Sequence, residues 1–163
     1  EVLACHEARL ATASLDRTSK VWSIACGELL FTLEGHSLPV CSLVRWGDTL
    51  ITGSLDSCLR VWSLHSGRAL RTLQGHQDGI TALVVEGNML AAASDDSTAS
   101  TWDLQSGCCL HSFVGHARPV WALALQGHHL VTGSMDETAK CWDTRSGQLL
   151  VSLSCHTQAV TRV

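Results

Sequence analysis

Serine, histidine and aspartate at fixed spacing are the ingredients of nucleophilic acyl transfer, and this chain contains them several times over. Ser14, Ser54, Ser94 and Ser134 stand 40 residues apart, as do Asp16, Asp56, Asp96 and Asp136, and as do His36, His76, His116 and His156. Trp22, Trp62, Trp102 and Trp142 keep the same step. A catalytic triad needs its hydroxyl exposed beside an oxyanion site and a substrate cleft, and an enzyme needs one such place rather than several copies. The repetition favours the other use of these groups, in which buried hydroxyl, imidazole and carboxylate satisfy one another and fix a unique packing. No residue is therefore assigned as catalytic, and the chain is expected not to be an enzyme.

Other chemistry finds little support. His128-His129 and Cys108-Cys109 are the candidate metal ligands, but neither has the CxxC or HxxxH spacing that places two ligands on one ion, and they read as solvated turn residues. The glycines are single turn residues rather than a phosphate-cradling loop, so neither metal nor cofactor is expected. With a net charge of −4 and scattered basic residues, there is no stripe of cations to follow a phosphate backbone; nucleic acid is not an expected partner. The longest apolar runs, such as residues 82–85, fall far short of the roughly 20 residues that cross a bilayer, and no signal peptide is visible. The eight cysteines replace other residues at repeat positions: Cys58 stands where Thr18, Thr98 and Thr138 stand, Cys141 where Val21 and Val61 stand, Cys155 where Gly35, Gly75 and Gly115 stand. They read as small buried or turn residues in a reducing compartment, cytoplasmic or nuclear.

The elements that must position the recurring residues are short strands. In the second unit, residues 40–44 are apolar on both alternating faces, as an innermost strand packed on each side should be. Trp46, Gly47 and Asp48 form a tight turn, echoed by Gly87-Asn88 and Gly127-His128. Residues 50–54 and 58–63 are the next two strands; Ser66-Gly67 turns the chain, as Ser106-Gly107 and Ser146-Gly147 do; residues 69–73 are the outer strand. Pro39 and Pro119, the two prolines, stand where an inner strand begins and no central ladder bond is lost.

A period of about 40 residues, with Gly-His near one end and Trp-Asp near the other, marks a four-stranded propeller blade, and on these residues the chain resembles the WD40-repeat family. The resemblance implies an all-β propeller of antiparallel four-stranded blades: residues 1–34, 35–74, 75–114 and 115–154, with 155–163 starting a fifth. The first unit lacks the beginning of its inner strand, which would include residues 1–3, so the chain is expected to be an arc of a larger propeller whose remainder is a partner. A second geometry has residues 155–163 complete the first unit and place His156 beside Ser14, Asp16 and Trp22, closing a four-bladed ring.

Carried over by position, the family's buried hydrogen-bonded tetrads are His36, Ser54, Asp56, Trp62; His76, Ser94, Asp96, Trp102; and His116, Ser134, Asp136, Trp142. The resemblance also places partner contacts at the residue before each tetrad aspartate and at the start of each inner strand. The first set is Leu15, Leu55, Asp95 and Met135; the second is Cys41, Thr81 and Trp121, with Thr161 in the incomplete unit. Most are apolar, and an exposed apolar cluster around Trp121 reads as a binding patch. Relatives that read phosphorylated degrons carry arginine at several such positions; here none is arginine, with Arg118 and Arg162 only as neighbours. The implied function is a non-enzymatic scaffold that binds proteins or peptides on its turn face. Two narrower versions are a substrate receptor of a ubiquitin ligase, since the short inner turns look like those of F-box/WD receptors, and the regulatory propeller of a larger signalling enzyme.

Overall fold

The computed structural model describes residues 9–163; residues 1–3, expected in the first unit's innermost strand, lie outside this range. The described residues form β-strands joined by turns and contain no helix, hence none long and apolar enough to cross a membrane. The first sheet has β1 (Arg9–Ala13), β2 (Ser19–Ser23) and β3 (Leu29–Leu33). The second has β4 (Val40–Trp46), β5 (Thr49–Ser54), β6 (Leu59–Ser63) and β7 (Ala69–Leu73). The third has β8 (Ile80–Glu86), β9 (Met89–Ser94), β10 (Thr98–Asp103) and β11 (Cys109–Val114). The fourth has β12 (Val120–Gln126), β13 (His129–Ser134), β14 (Ala139–Asp143) and β15 (Leu149–Leu153). Within each sheet the strands pair antiparallel in chain order. The turn between inner and second strand has two residues, with Gly47 at φ 55°. Left-handed backbone at the first turn position suits the twist of a tight hairpin, and glycine adopts it without strain.

Successive sheets bury their facing sides against each other. Val21 and Leu33 meet Leu50, Trp62 and Leu64; Ile51, Leu59, Val61 and Leu73 meet Ile80, Leu90, Trp102 and Leu104; Ala91, Ala99 and Phe113 meet Leu130 and Trp142. The four sheets form an open arc. Leu73 is 4 % exposed, whereas Leu153, two repeat steps on, is 54 % exposed; Leu10 is 52 % exposed and its counterpart Leu50 only 1 %. In a closed four-sheet ring these two end faces would cover each other, and His156, placed by that geometry beside Asp16, is exposed. The four-bladed closure is therefore not the arrangement adopted. Residues 154–163 form no strand, because no second strand pairs with them; Val160 is nevertheless buried, and its N–H donates to the Ser134 carbonyl at 2.9 Å.

Two expectations change. The innermost strands were expected to be packed on both sides, yet β4 and β8 are mostly half-buried, and the fullest burial lies in β5 and β9. Inner strands do flank one another along the concave side of the arc, β8 between β4 and β12, but each is the unpaired edge of its sheet and stays partly open to solvent there. The cysteines are also less buried than expected. Of the seven described, five are exposed, two are half-buried, and none is in a disulfide. Cys141 shows why: its counterparts Val21 and Val61 are covered by the following sheet, but β14 belongs to the sheet with nothing after it.

Sheet-to-sheet distance is set by small residues in the second strands. A Cβ built on Gly53 would lie 2.5 Å from Ile80 Cγ2, well inside van der Waals contact. At the same repeat position the third unit has Ala93, followed by Val120, one methylene smaller than Ile80. Gly53→Ala is expected to destabilise the fold by about 1–3 kcal/mol through overpacking, read from the urea midpoint. Adding Ile80→Val should recover most of that loss, and equal midpoints for the single and double variants would show that the contact does not set the spacing.

Candidate functional site

The recurring polar residues converge at one end of each sheet, where the second strand turns into the third. The turn puts a non-glycine residue in left-handed backbone: Arg17, Ser57, Ser97 and Glu137 have φ between 63° and 72°. The preceding aspartate relieves this by accepting the N–H two residues ahead of it on Oδ1: Thr18 to Asp16 at 2.9 Å, Cys58 to Asp56 at 3.1 Å, Thr98 to Asp96 at 2.9 Å, Thr138 to Asp136 at 3.0 Å. Such Asx turns compete well with other local geometries. The second oxygen reaches the segment before the inner strand. Asp56 Oδ2 accepts from His36 Nδ1 and from the Ser37 N–H, both at 2.9 Å, and Asp96 and Asp136 do the same with His76 and Gln77 and with His116 and Ala117.

The hydroxyl that links histidine to tryptophan belongs to threonine, not to the expected serine. Trp62 Nε1 donates to Thr52 Oγ1 at 2.9 Å, and Thr52 Oγ1 lies 2.8 Å from His36 Nε2; Trp142, Thr132 and His116 repeat this at 2.9 and 2.7 Å. Because Nδ1 faces a carboxylate, it carries the proton and Nε2 is the acceptor. The proton-donor order is thus tryptophan to threonine to histidine to aspartate. Ser54, Ser94 and Ser134 serve a different connection. Each is fully buried, accepts the N–H of its tetrad aspartate, and donates to a carbonyl at the start of the inner strand, Leu38, Asp78 and Arg118 respectively. The physical reason is strand alternation: two residues along β5, Thr52 and Ser54 point to the same face, and Thr52 sits opposite the indole while Ser54 sits at the turn. The threonines share the 40-residue step (Thr12, Thr52, Thr132), so the signal was present; Ala92 interrupts it in the third unit.

That interruption has a consequence on the page: His76 Nε2 is buried without a partner. The first unit shows the opposite defect, with Trp22 Nε1 donating to Thr12 at 3.0 Å and no histidine in register before it. Beside the His36 and His116 imidazoles, the Thr52 and Thr132 hydroxyls are buried and each accepts an indole N–H.

The residues expected to meet partners lie above these networks. The ladder between inner and second strand slips by one residue between Val40 and Ser42, between Ile80 and Ala82, and between Val120 and Ala122. Cys41, Thr81 and Trp121 are therefore bulge residues, unpaired in the ladder and re-aimed. The turn residues are held by backbone bonds, Leu55 N–H to Pro39 O, Asp95 to Gly79 and Met135 to Pro119, each 2.9 Å. Trp121 Nε1 donates to Asp95 Oδ1 at 3.2 Å. Leu55 packs at Gly79, where Asp95 Oδ2 also approaches. Burial and the nearby Asp95 carboxylate push the Cys41 thiol up. Cys41, Leu55, Asp95 and Trp121 thus gather in one place; Thr81 is tied instead to the Val120 carbonyl at 2.5 Å. Leu15 and Met135 hold the same turn position on the flanking sheets. Trp121 is 39 % exposed and Leu55 37 %. Among the described residues no group of three or more metal-ligating side chains occurs.

Burial holds the His36 and His116 imidazoles below the ordinary histidine value, against the opposing pull of Asp56 and Asp136. Burial by itself raises the Asp56, Asp96 and Asp136 carboxyls, but the hydrogen bonds they accept outweigh it, and all three end below the ordinary range, Asp136 most clearly. Depressed values of both kinds stabilise the fold above the unfolded-state pKa and lose that contribution as pH falls through the window down to the folded one. Stability is expected to decline from about pH 6.5 downward as the histidines come into play, and again below about pH 4 with the aspartates; urea midpoints across this range test it, and a midpoint that rises on acidification contradicts it. Thr52→Ala, which strands two buried groups, should cost about 1–3 kcal/mol, while Ala92→Thr should add about 1 kcal/mol by giving His76 its donor. Equal denaturation midpoints for wild type and Ala92→Thr would mean that the histidine was already satisfied.

Comparison with known proteins agrees with this geometry. The family described as "WD domain, G-beta repeat" matches residues 27–63, 67–103 and 107–143. Each match starts with the outer strand of one sheet and ends with the third strand of the next, so the sequence repeat is offset from the blade. No curated protein matches the chain. Among solved structures, the computationally designed Ika8 protein superposes with a TM-score of 0.90 at 33 % identity, over 96 % of this chain and 49 % of that one. The chain therefore spans about half the length of that designed protein. With more than half of its residues matched in three successive repeats, the chain belongs to the WD40 family, the WD domain, G-beta repeat proteins.

Proposed function

We propose that the chain is a non-enzymatic scaffold that binds peptide segments of other proteins on its turn face. The observation that supports this most directly is the gathering of Cys41, Leu55, Asp95 and Trp121, three apolar or weakly polar groups and one carboxylate, on a surface rigidly held from below. Bulges and bonded turns fix these side chains while leaving part of Leu55 and Trp121 exposed, which is the preorganisation that binding rewards. Leu15 and Met135 extend the face, and Thr81 holds adjacent inner strands in place beneath it. The uncovered faces of the first and fourth sheets, with Leu10 and Ile24 at one end and Val151 and Leu153 at the other, are proposed to pack on further blades of the same kind. Cytoplasm or nucleus is the compartment that the unpaired cysteines suit.

A narrower reading, a substrate receptor of a ubiquitin ligase, is favoured by one feature, the two-residue inner turns at Gly47-Asp48, Gly87-Asn88 and Gly127-His128. The broader reading is tested with peptides selected from a random display library on the wild-type chain. Leu55→Asp combined with Trp121→Ala should weaken them at least tenfold, with the melting temperature unchanged. Undiminished affinity in that double variant would place binding elsewhere.

A further inference from the structure

Asp95 is out of keeping with its surroundings. At the turn position just before the tetrad aspartate the other three units have Leu15, Leu55 and Met135, and a carboxylate among apolar residues has to be accounted for. No lysine, arginine or histidine pairs with it among the described residues. Its one side-chain bond is the indole N–H of Trp121 on Oδ1, a neutral donor that leaves most of its accepting capacity unused. Trp121 in turn presents an accessible ring at a bulge, beside a hollow lined by Ala82, Leu123, Thr161 and Arg162. A half-buried carboxylate, an aromatic face within hydrogen-bond reach of it, and Leu55 alongside make a site with negative charge, a π surface and an apolar wall.

We propose that Asp95, Trp121 and Leu55 bind an arginine side chain of a partner peptide, the guanidinium on Asp95 and over the Trp121 ring, with apolar peptide residues on Leu55. This rests on the turn face being the peptide-binding surface and names what that surface selects. The guanidinium suits the site because it is planar, stacks on aromatic rings and forms charge-assisted bonds with a carboxylate at the same time. The chain's net charge of −4 favours the approach of a cationic segment and disfavours an acidic or phosphorylated one.

The test uses the peptides selected on the wild-type chain. Enrichment of arginine flanked by apolar residues is expected, and replacing that arginine with glutamine should weaken binding at least tenfold. Asp95→Asn keeps an oxygen to accept the Trp121 N–H and removes only the charge; it should melt as the wild type does and also lose at least tenfold in affinity. Binding should weaken further as salt is raised from about 0.05 to 0.5 M, since the pair is only partly buried. Selected peptides without arginine, or equal affinity for wild type and Asp95→Asn, would overturn the arginine site while leaving the peptide-binding face intact. Peptides that bind the Leu55→Asp, Trp121→Ala double variant undiminished would overturn both.

Discussion

The structure depends on contact between one sheet face and the next. A four-stranded sheet of this size has two apolar faces and too little chain to fold back over either, so each face is buried only by its neighbour. Burial follows that rule along the arc. The same repeat position is nearly closed to solvent at Leu33, Leu73 and Phe113 and open at Leu153, though the local sequence around all four is alike. Gly53 and Ile80 set how closely two faces approach, because a single extra methyl there has no room.

Apolar faces alone leave one sheet free to slide on the next. The polar networks tie each sheet to the segment that enters it from the sheet before. Each tetrad aspartate holds three things together: its own strained turn, the histidine ahead of the inner strand, and that segment's backbone N–H. The threonine between histidine and tryptophan extends the hold to the third strand, whose indole is itself packed in the interface between sheets. A buried network of this kind is costly if any member is missing, and the third unit, where Ala92 leaves His76 Nε2 without a donor, shows where the cost falls. The same turns hold Leu55 and Asp95 in fixed positions and the same strands bear the bulges at Cys41 and Trp121, so the rigidity of the networks passes directly to the partner-facing surface.

Much of this was legible beforehand, for a definite reason. A repeat whose period is kept by four residue types exposes its strands and turns to comparison with itself, so the strand order and the two-residue turns could be placed by register, while the pairing of aspartate with histidine followed from the family resemblance. The serine-for-threonine error arose in carrying the family's tetrad over: both hydroxyl positions repeat, and register cannot say which one faces the indole. The bulges at Cys41, Thr81 and Trp121 were equally invisible, because a one-residue slip in pairing leaves no mark on composition or period.

The sequence by itself determined the unit: its length, its strands, its turn chemistry and the polar residues that each unit must bury, since these are local consequences of residue type and spacing. Tertiary structure decided the rest. Which faces are covered, which hydroxyl completes each network, and how Asp95 of one sheet comes to meet Trp121 of the next depend on how sheets pack across the arc. Those contacts join residues 20 or more positions apart in the chain, as with His36 and Asp56 or Asp95 and Trp121, and a distance of that kind is fixed by packing rather than by local preference.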